Sequence, residues 1–140
     1  MNLDKLSESM NQNWTDIYYN LHERHDDHLT HHAVRLLQYL EKNQSATIGT
    51  LAHFSNVSHN TASEHVKRLL QKKLVQKQRN SQDERKVYVT LTAEGEDVVK
   101  RHTRLDPKKL QKVLQQLNED QLKLLEDAFS MLSQAAKSCF

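Results

Sequence analysis

Two short runs of helical period lie close together near the middle of the chain, and the gap between them narrows the fold sharply. Thr47 precedes Ile48, Leu51, Ala52 and Phe54, while Ser58 precedes Ala62, Val66, Leu69 and Leu70, spaced i, i+4, i+7 and i+8. Thr and Ser satisfy the first free N–H groups of a helix, and apolar residues at these steps make one buried stripe. The first run stops at Ser55-Asn56, so about four residues join two helices, as in a helix-turn-helix. The outer face of the second helix is polar and basic.

Beyond this pair the chain becomes extended. Leu74–Gln78 reads as a strand, and Lys86–Leu91 alternates strictly, with Val87, Val89 and Leu91 on one side and Tyr88 and Thr90 on the other. The polar loop between them runs from Arg79 to Arg85. A β-hairpin behind a helix-turn-helix is a wing.

The flanks are helical. Leu3, Leu6, Met10, Trp14, Ile17, Tyr18 and Leu21 form an amphipathic stripe of about five turns. Thr30 caps a second helix with Ala33, Val34, Leu36, Leu37 and Leu40, ending near Asn43, before a polar break at Gln44-Ser45-Ala46. Thr92 caps a helix with Glu94 and Glu96 in its first turn, where carboxylates suit the helix dipole. Asp106-Pro107 restarts it, and Asn118 with Gln121 makes a capping box for the last helix, whose apolar positions include Leu122, Leu125, Phe129 and Leu132. With 2 Gly and 1 Pro in 140 residues, the composition also favours helix. The expected fold is mainly α: a winged helix-turn-helix with a two-stranded β-wing and N- and C-terminal dimerisation helices. A single domain is expected, with residues 1–29 and 106–140 as dimerisation helices and 30–105 as the winged lobe and connecting helix.

Charge is uneven. Residues 67–86 hold 8 Lys/Arg and 2 Asp/Glu, against 4 and 8 in residues 1–66 and 8 and 8 in residues 87–140. A basic block in a chain of net charge +2 points to a local polyanion-binding surface. No run approaches the roughly 20 apolar residues of a membrane span, and the N-terminus lacks the regions of a signal peptide, so a cytoplasmic protein without membrane contact is expected. The lone Cys139, next to the last residue, has no internal disulfide partner.

The ordered set Val57-Ser58-His59-Asn60-Thr61-Ala62-Ser63, Lys67-Arg68-Leu69, Lys73-Leu74-Val75, Asp83-Glu84-Arg85-Lys86 and Leu91-Thr92-Ala93-Glu94-Gly95 resembles the MarR (multiple antibiotic resistance regulator) family of bacterial transcription factors, over essentially the whole chain. The resemblance implies a homodimer that straddles a pseudo-palindromic duplex and acts as a repressor released by a small-molecule or metal effector. It makes recognition helix 58–73 and wing 79–86 the DNA-binding parts, Arg85 a minor-groove arginine and Asp83 the carboxylate that holds it. Lys73 stands where the family usually has Gly, and Lys86 where a second Arg is common.

Chemistry sorts the recognition positions. Ser58, His59, Asn60, Thr61, Ser63 and Glu64 lie in the first turns, where base edges are reached: Asn60 suits adenine, Thr61 a thymine methyl and Glu64 the cytosine amino group. Lys67, Arg68, Lys72, Lys77 and Arg79 suit phosphate, and Lys86 joins the DNA-binding set as part of the wing. His65 falls on the packed side.

Five of nine histidines occupy the stretch HERHDDHLTHH, residues 22–32. With Thr30 as a cap, no single helix face gathers them, so a metal site would draw on separate segments: His22 or His25, His31 or His32, and His102, with Glu23 or Asp27 giving oxygen. Zinc is the metal such a set would take, although the pair of long-helix histidines found in the zinc-responsive branch is absent, leaving His102. No cofactor is required by the regulator reading. Two rival classes explain less. A metal-dependent enzyme accounts only for the histidines and lacks HExxH spacing, since HERH puts its second His at i+3. A winged-helix protein-interaction adaptor leaves the basic block idle.

Overall fold

The computed structural model describes residues 1–79, 82, 83 and 85–140. Asn80, Ser81 and Glu84 of the expected wing lie outside the described residues. The helices are α1 (Leu3–Leu21), α2 (His31–Asn43), α3 (Ile48–Ser55), α4 (His59–Gln71), α5 (Ala93–Thr103), α6 (Pro107–Leu114) and α7 (Glu119–Cys139), and the strands are β1 (Ser45–Ala46), β2 (Val75–Arg79) and β3 (Val87–Leu91). The chain divides into two units, residues 23–104 and residues 1–22 with 105–140.

Helix starts follow their capping side chains. Thr30, Thr47, Ser58 and Thr92 each accept a hydrogen bond from the backbone N–H three residues on, at 3.0–3.1 Å. Asp106 accepts from Lys108 N at 2.9 Å with Pro107 behind it. Asn118 and Gln121 close a reciprocal capping box.

In the unit 23–104, α2 to α5 pack on a small antiparallel sheet of order β1-β3-β2. The polar break at Ser45-Ala46 is itself a strand, so the sheet has three strands rather than the two expected from the sequence. Ser45 pairs with Thr90 and Ala46 with Val89, so β3 is central and Val89 is fully buried. Two residues are too few to show alternation, and β1 owes its conformation to the partner it meets. The core joins Leu36, Leu37 and Leu40 of α2, Leu51 of α3, Val66 and Leu69 of α4, Leu74 and Val75, Val89, and Val98 and Val99 of α5.

Helix α4 ends in a Schellman motif. Leu74 N donates to Leu69 O and Lys73 N to Leu70 O, each at 3.0 Å, with Lys73 left-handed at φ 61°. Thr92 then ties this exit to α5: its hydroxyl donates to Lys73 O at 2.7 Å, its N–H donates to Leu74 O at 3.1 Å, and its oxygen caps Gly95. Gly95 is buried where any Cβ would fall 2.0 Å from Leu74 O.

The other unit contains α1, α6 and α7, and none of these helices has a buried residue. Asp106 N donates to Leu21 O at 2.7 Å and Lys109 Nζ to His22 O at 3.4 Å. Leu3, Met10, Trp14, Leu124, Phe129, Met131 and Leu132 are exposed.

Candidate nucleic-acid interface and histidine clusters

The hydrophobic stripe of α4 decides which side chains it shows. Ala62, Val66 and Leu69 are buried in the lobe, so His59, Asn60, Thr61, Glu64, Lys67 and Arg68 are exposed on the opposite side, with Ser63 half-buried. Ser58 is committed to the cap: its oxygen accepts from Thr61 N at 3.1 Å while its hydroxyl donates to Thr61 Oγ1 at 2.9 Å. That bond engages the Thr61 hydroxyl, and Thr61 as a whole is exposed. The first turn therefore offers Asn60 as a two-way hydrogen-bonding group beside Thr61 and an imidazole, with two cations further along.

The hairpin extends the basic surface. Arg79 pairs with Val87 and Lys77 with Val89, and the side chains of both cations are exposed. Lys86 N donates to Asp83 O at 3.0 Å, closing a turn. Within it, Asp83 Oδ1 accepts from Arg85 N at 3.1 Å and from Arg85 Nε at 3.3 Å. The Arg85 side chain is nevertheless 93% exposed, against 36% for Asp83. The carboxylate thus grips the base of the guanidinium and leaves its fork to solvent, with less side-chain freedom to lose on meeting a partner.

The histidine stretch divides. His22 belongs to the unit with α1, where Nδ1 lies 2.8 Å from Tyr18 O and the ring stacks on Tyr18. His31 is exposed at the start of α2. His32 meets His65 of α4, with ring centroids 4.3 Å apart, and His32 Nε2 and His65 Nδ1 are buried without a hydrogen-bond partner among the described residues. Burial, then His32 and Arg68, pushes the His65 pKa down. Beside this pair lies a cavity of about 290 Å³, walled by Leu29, Ala33, Leu36 and Leu69 and by His28, Arg68 and Lys72.

His25 goes elsewhere, against His102 of α5 with ring centroids 3.8 Å apart. Asp27 lies beside them, its Oδ2 3.7 Å from His102 Nε2. Arg101 holds this carboxylate through Nε to Oδ2 at 2.9 Å and Nη2 to Oδ1 at 3.3 Å. The Arg101 hydrogen bond lowers the Asp27 pKa; burial, then His25, lowers that of His102. His25, Asp27 and His102 offer donor atoms all within 4.8 Å of one another, the three-ligand group found among the described residues. Neither the meeting of His32 with His65 nor that of His25 with His102 has a local sequence signal, because each joins segments distant in the chain.

A helix-turn-helix whose second helix buries its apolar stripe and exposes polar and charged side chains, with a cationic hairpin behind it, defines a winged-helix DNA-binding protein. The family model for the transcriptional regulator SarA/Rot matches residues 20–102, and the chain belongs to that family. No curated protein matches the sequence. Solved structures give the same fold. A MarR-like transcriptional regulator from Thermotoga maritima superposes with a TM-score of 0.66 at 16% identity, covering 98% of each chain. A second Thermotoga maritima transcriptional regulator gives 0.64 at 20% identity, over 79% of this chain and 78% of that one. The PcaV transcriptional regulator from Streptomyces coelicolor, in complex with its natural ligand, gives 0.53 at 23% identity, over 94% and 91%. The MarR resemblance read from the sequence thus holds for the fold. No helix of the described residues is long and apolar enough to cross a membrane.

Proposed function

We propose that this SarA/Rot-family regulator is a cytoplasmic homodimeric repressor that reads a pseudo-palindromic operator through α4 and the wing and releases it on binding a small effector. The observation that carries this reading is the set of exposed cations on α4 and the hairpin: Lys67, Arg68, Lys77, Arg79, Arg85 and Lys86. His59, Asn60, Thr61, Ser63 and Glu64 face base edges, and the cations and Asp83-held Arg85 take phosphate and minor groove. Residues 1–29 and 106–140 supply the dimer contact, supported by Trp14 and Phe129, which are 47% and 52% exposed on helices without a fully buried residue. Two copies then place two recognition helices about one helical turn apart on the duplex.

The cavity beside His32 and His65 supports an organic effector, because its apolar wall and cationic rim suit a small molecule with a negative end. A zinc-class metal effector is the second reading, favoured by the grouping of His25, Asp27 and His102.

The test is fluorescence anisotropy on duplex DNA from the chain's own upstream region, with light scattering to give the mass. A dimer whose affinity falls steeply with salt is expected. Binding that is absent or indifferent to salt would instead favour a protein-interaction adaptor.

A further inference from the structure

We propose that His25, Asp27 and His102 bind one divalent transition-metal ion, of the zinc and cobalt class, and that the ion sets the position of residues 23–30 against α5. The regulatory half of this inference rests on the DNA-binding reading above, whereas the site itself does not. Two imidazoles and a carboxylate are a borderline nitrogen and oxygen donor set, which suits zinc or cobalt and not calcium or magnesium, whose sites use oxygen.

The geometry is close to what an ion needs. Metal–ligand bonds of about 2.0–2.1 Å at tetrahedral angles put donor atoms about 3.3 Å apart. His102 Nε2 and Asp27 Oδ2 already stand at 3.7 Å, and the largest donor separation is under 4.8 Å. The remaining closure falls to His25, which is exposed on irregular chain with its ring already against His102. His102 is fixed, its side chain 10% exposed on α5. Asp27 is oriented by the Arg101 fork, and Oδ2 keeps a second lone pair after accepting from Nε. Such an outer hydrogen bond is what usually aims a ligating carboxylate. Three protein ligands leave a fourth position for water, unlike the closed four-ligand set of a structural zinc site.

Residues 23–30 also reach the DNA-reading helix. Asp27 precedes His28, whose carbonyl oxygen accepts from Lys72 Nζ at 3.4 Å, at the C-terminal end of α4. Thr30 then caps α2, and two residues later His32 packs on His65 of α4. An ion that draws His25 and Asp27 towards His102 therefore acts on a segment bonded to the recognition helix.

The experiment is a cobalt titration of the metal-free full chain monitored in the visible spectrum, zinc competition, and then DNA anisotropy with and without zinc. Variants His25→Ala and Asp27→Asn test the ligands, and His31→Ala, an exposed histidine of the same stretch, is the control. One cobalt per chain with a tetrahedral spectrum, displaced by zinc, weakened at least tenfold by His25→Ala and Asp27→Asn and kept by His31→Ala, is expected. Zinc should also change DNA affinity several-fold in the wild type and not in His25→Ala. No cobalt binding, or binding that survives both ligand changes, overturns the site. Binding with the expected variant pattern but no effect on DNA affinity overturns the regulatory half alone. A chain that binds cobalt as expected yet never binds DNA upholds the site and rejects the DNA-binding reading.

Discussion

Gly95 faces the carbonyl of Leu74 so closely that an added Cβ would stand 2.0 Å from its oxygen. The strand start and the first turn of α5 can meet there only without a side chain. Gly95→Ala must push α5 off the sheet, at a cost of about 2–3 kcal/mol. Gly49, with Thr47 Oγ1 at 3.8 Å as its nearest neighbour, is the contrast. In helix α3, Gly49→Ala should stabilise by about 0.5–1 kcal/mol. Urea denaturation of the two variants should move the midpoint in opposite directions; a Gly95→Ala protein as stable as wild type would contradict the packing described.

Lys73 carries a side chain at φ 61°, where the Schellman exit of α4 favours glycine. Lys73→Gly should therefore raise stability by about 1 kcal/mol. A lowered midpoint in thermal melting would mean that the lysine side chain contributes more than its backbone strain costs.

Arg85 and Asp83 allow a graded test of the wing. Arg85→Ala should weaken operator binding about tenfold and reduce the slope of log affinity against log salt by about 1, with the dimer intact by light scattering. Asp83→Asn keeps the guanidinium but loosens its grip, so a smaller loss is expected. Equal affinity of wild type and Arg85→Ala at moderate salt would remove Arg85 from the interface.

His65 should make stability depend on pH. Its folded pKa lies below the ordinary 6.5, with burial as the first cause and His32 and Arg68 behind it. Between the two values the unfolded chain binds the proton and the folded one does not, so stability rises with pH across that window. The full contribution is present above about pH 6.5 and is lost as pH falls towards the folded value. The urea midpoint of wild type should drop between about pH 7.5 and 5.5, and His65→Leu should flatten that drop. Parallel curves would show that the His32–His65 contact does not resist protonation.

Much of the fold can be read along the chain because its punctuation is local. Thr30, Thr47, Ser58, Thr92, Asp106 and Asn118 each cap the helix that their own sequence predicts, since the bond reaches only two or three residues ahead. The alternation of Val87, Val89 and Leu91 likewise marks a strand. Ser45-Ala46 does not, because its strand character comes from Thr90 and Val89, more than forty residues away. The same limit applies to the histidines. Their density in residues 22–32 is visible, and His22 on Tyr18 is a local contact four residues apart, but the meetings of His25 with His102 and of His32 with His65 depend on how helices pack. The close approach of Gly95 to Leu74 is another product of packing, and LTAEG at residues 91–95 shows the glycine without the carbonyl that requires it.

Thr92 bonds to both Lys73 and Leu74, which shuts the base of the hairpin independently of what lies between Arg79 and Val87. The two strands leave from and return to a closed clasp, so a change of length between Arg79 and Val87 need not open it. Adding residues there costs little in closure entropy, about 0.6 kcal/mol for each doubling of length. On the proposed reading of the wing, insertions and deletions between Arg79 and Val87 change how far the chain reaches along a duplex while the lobe beneath keeps its core. The hairpin is built as an exchangeable part, and selection can tune it by length as readily as by substitution.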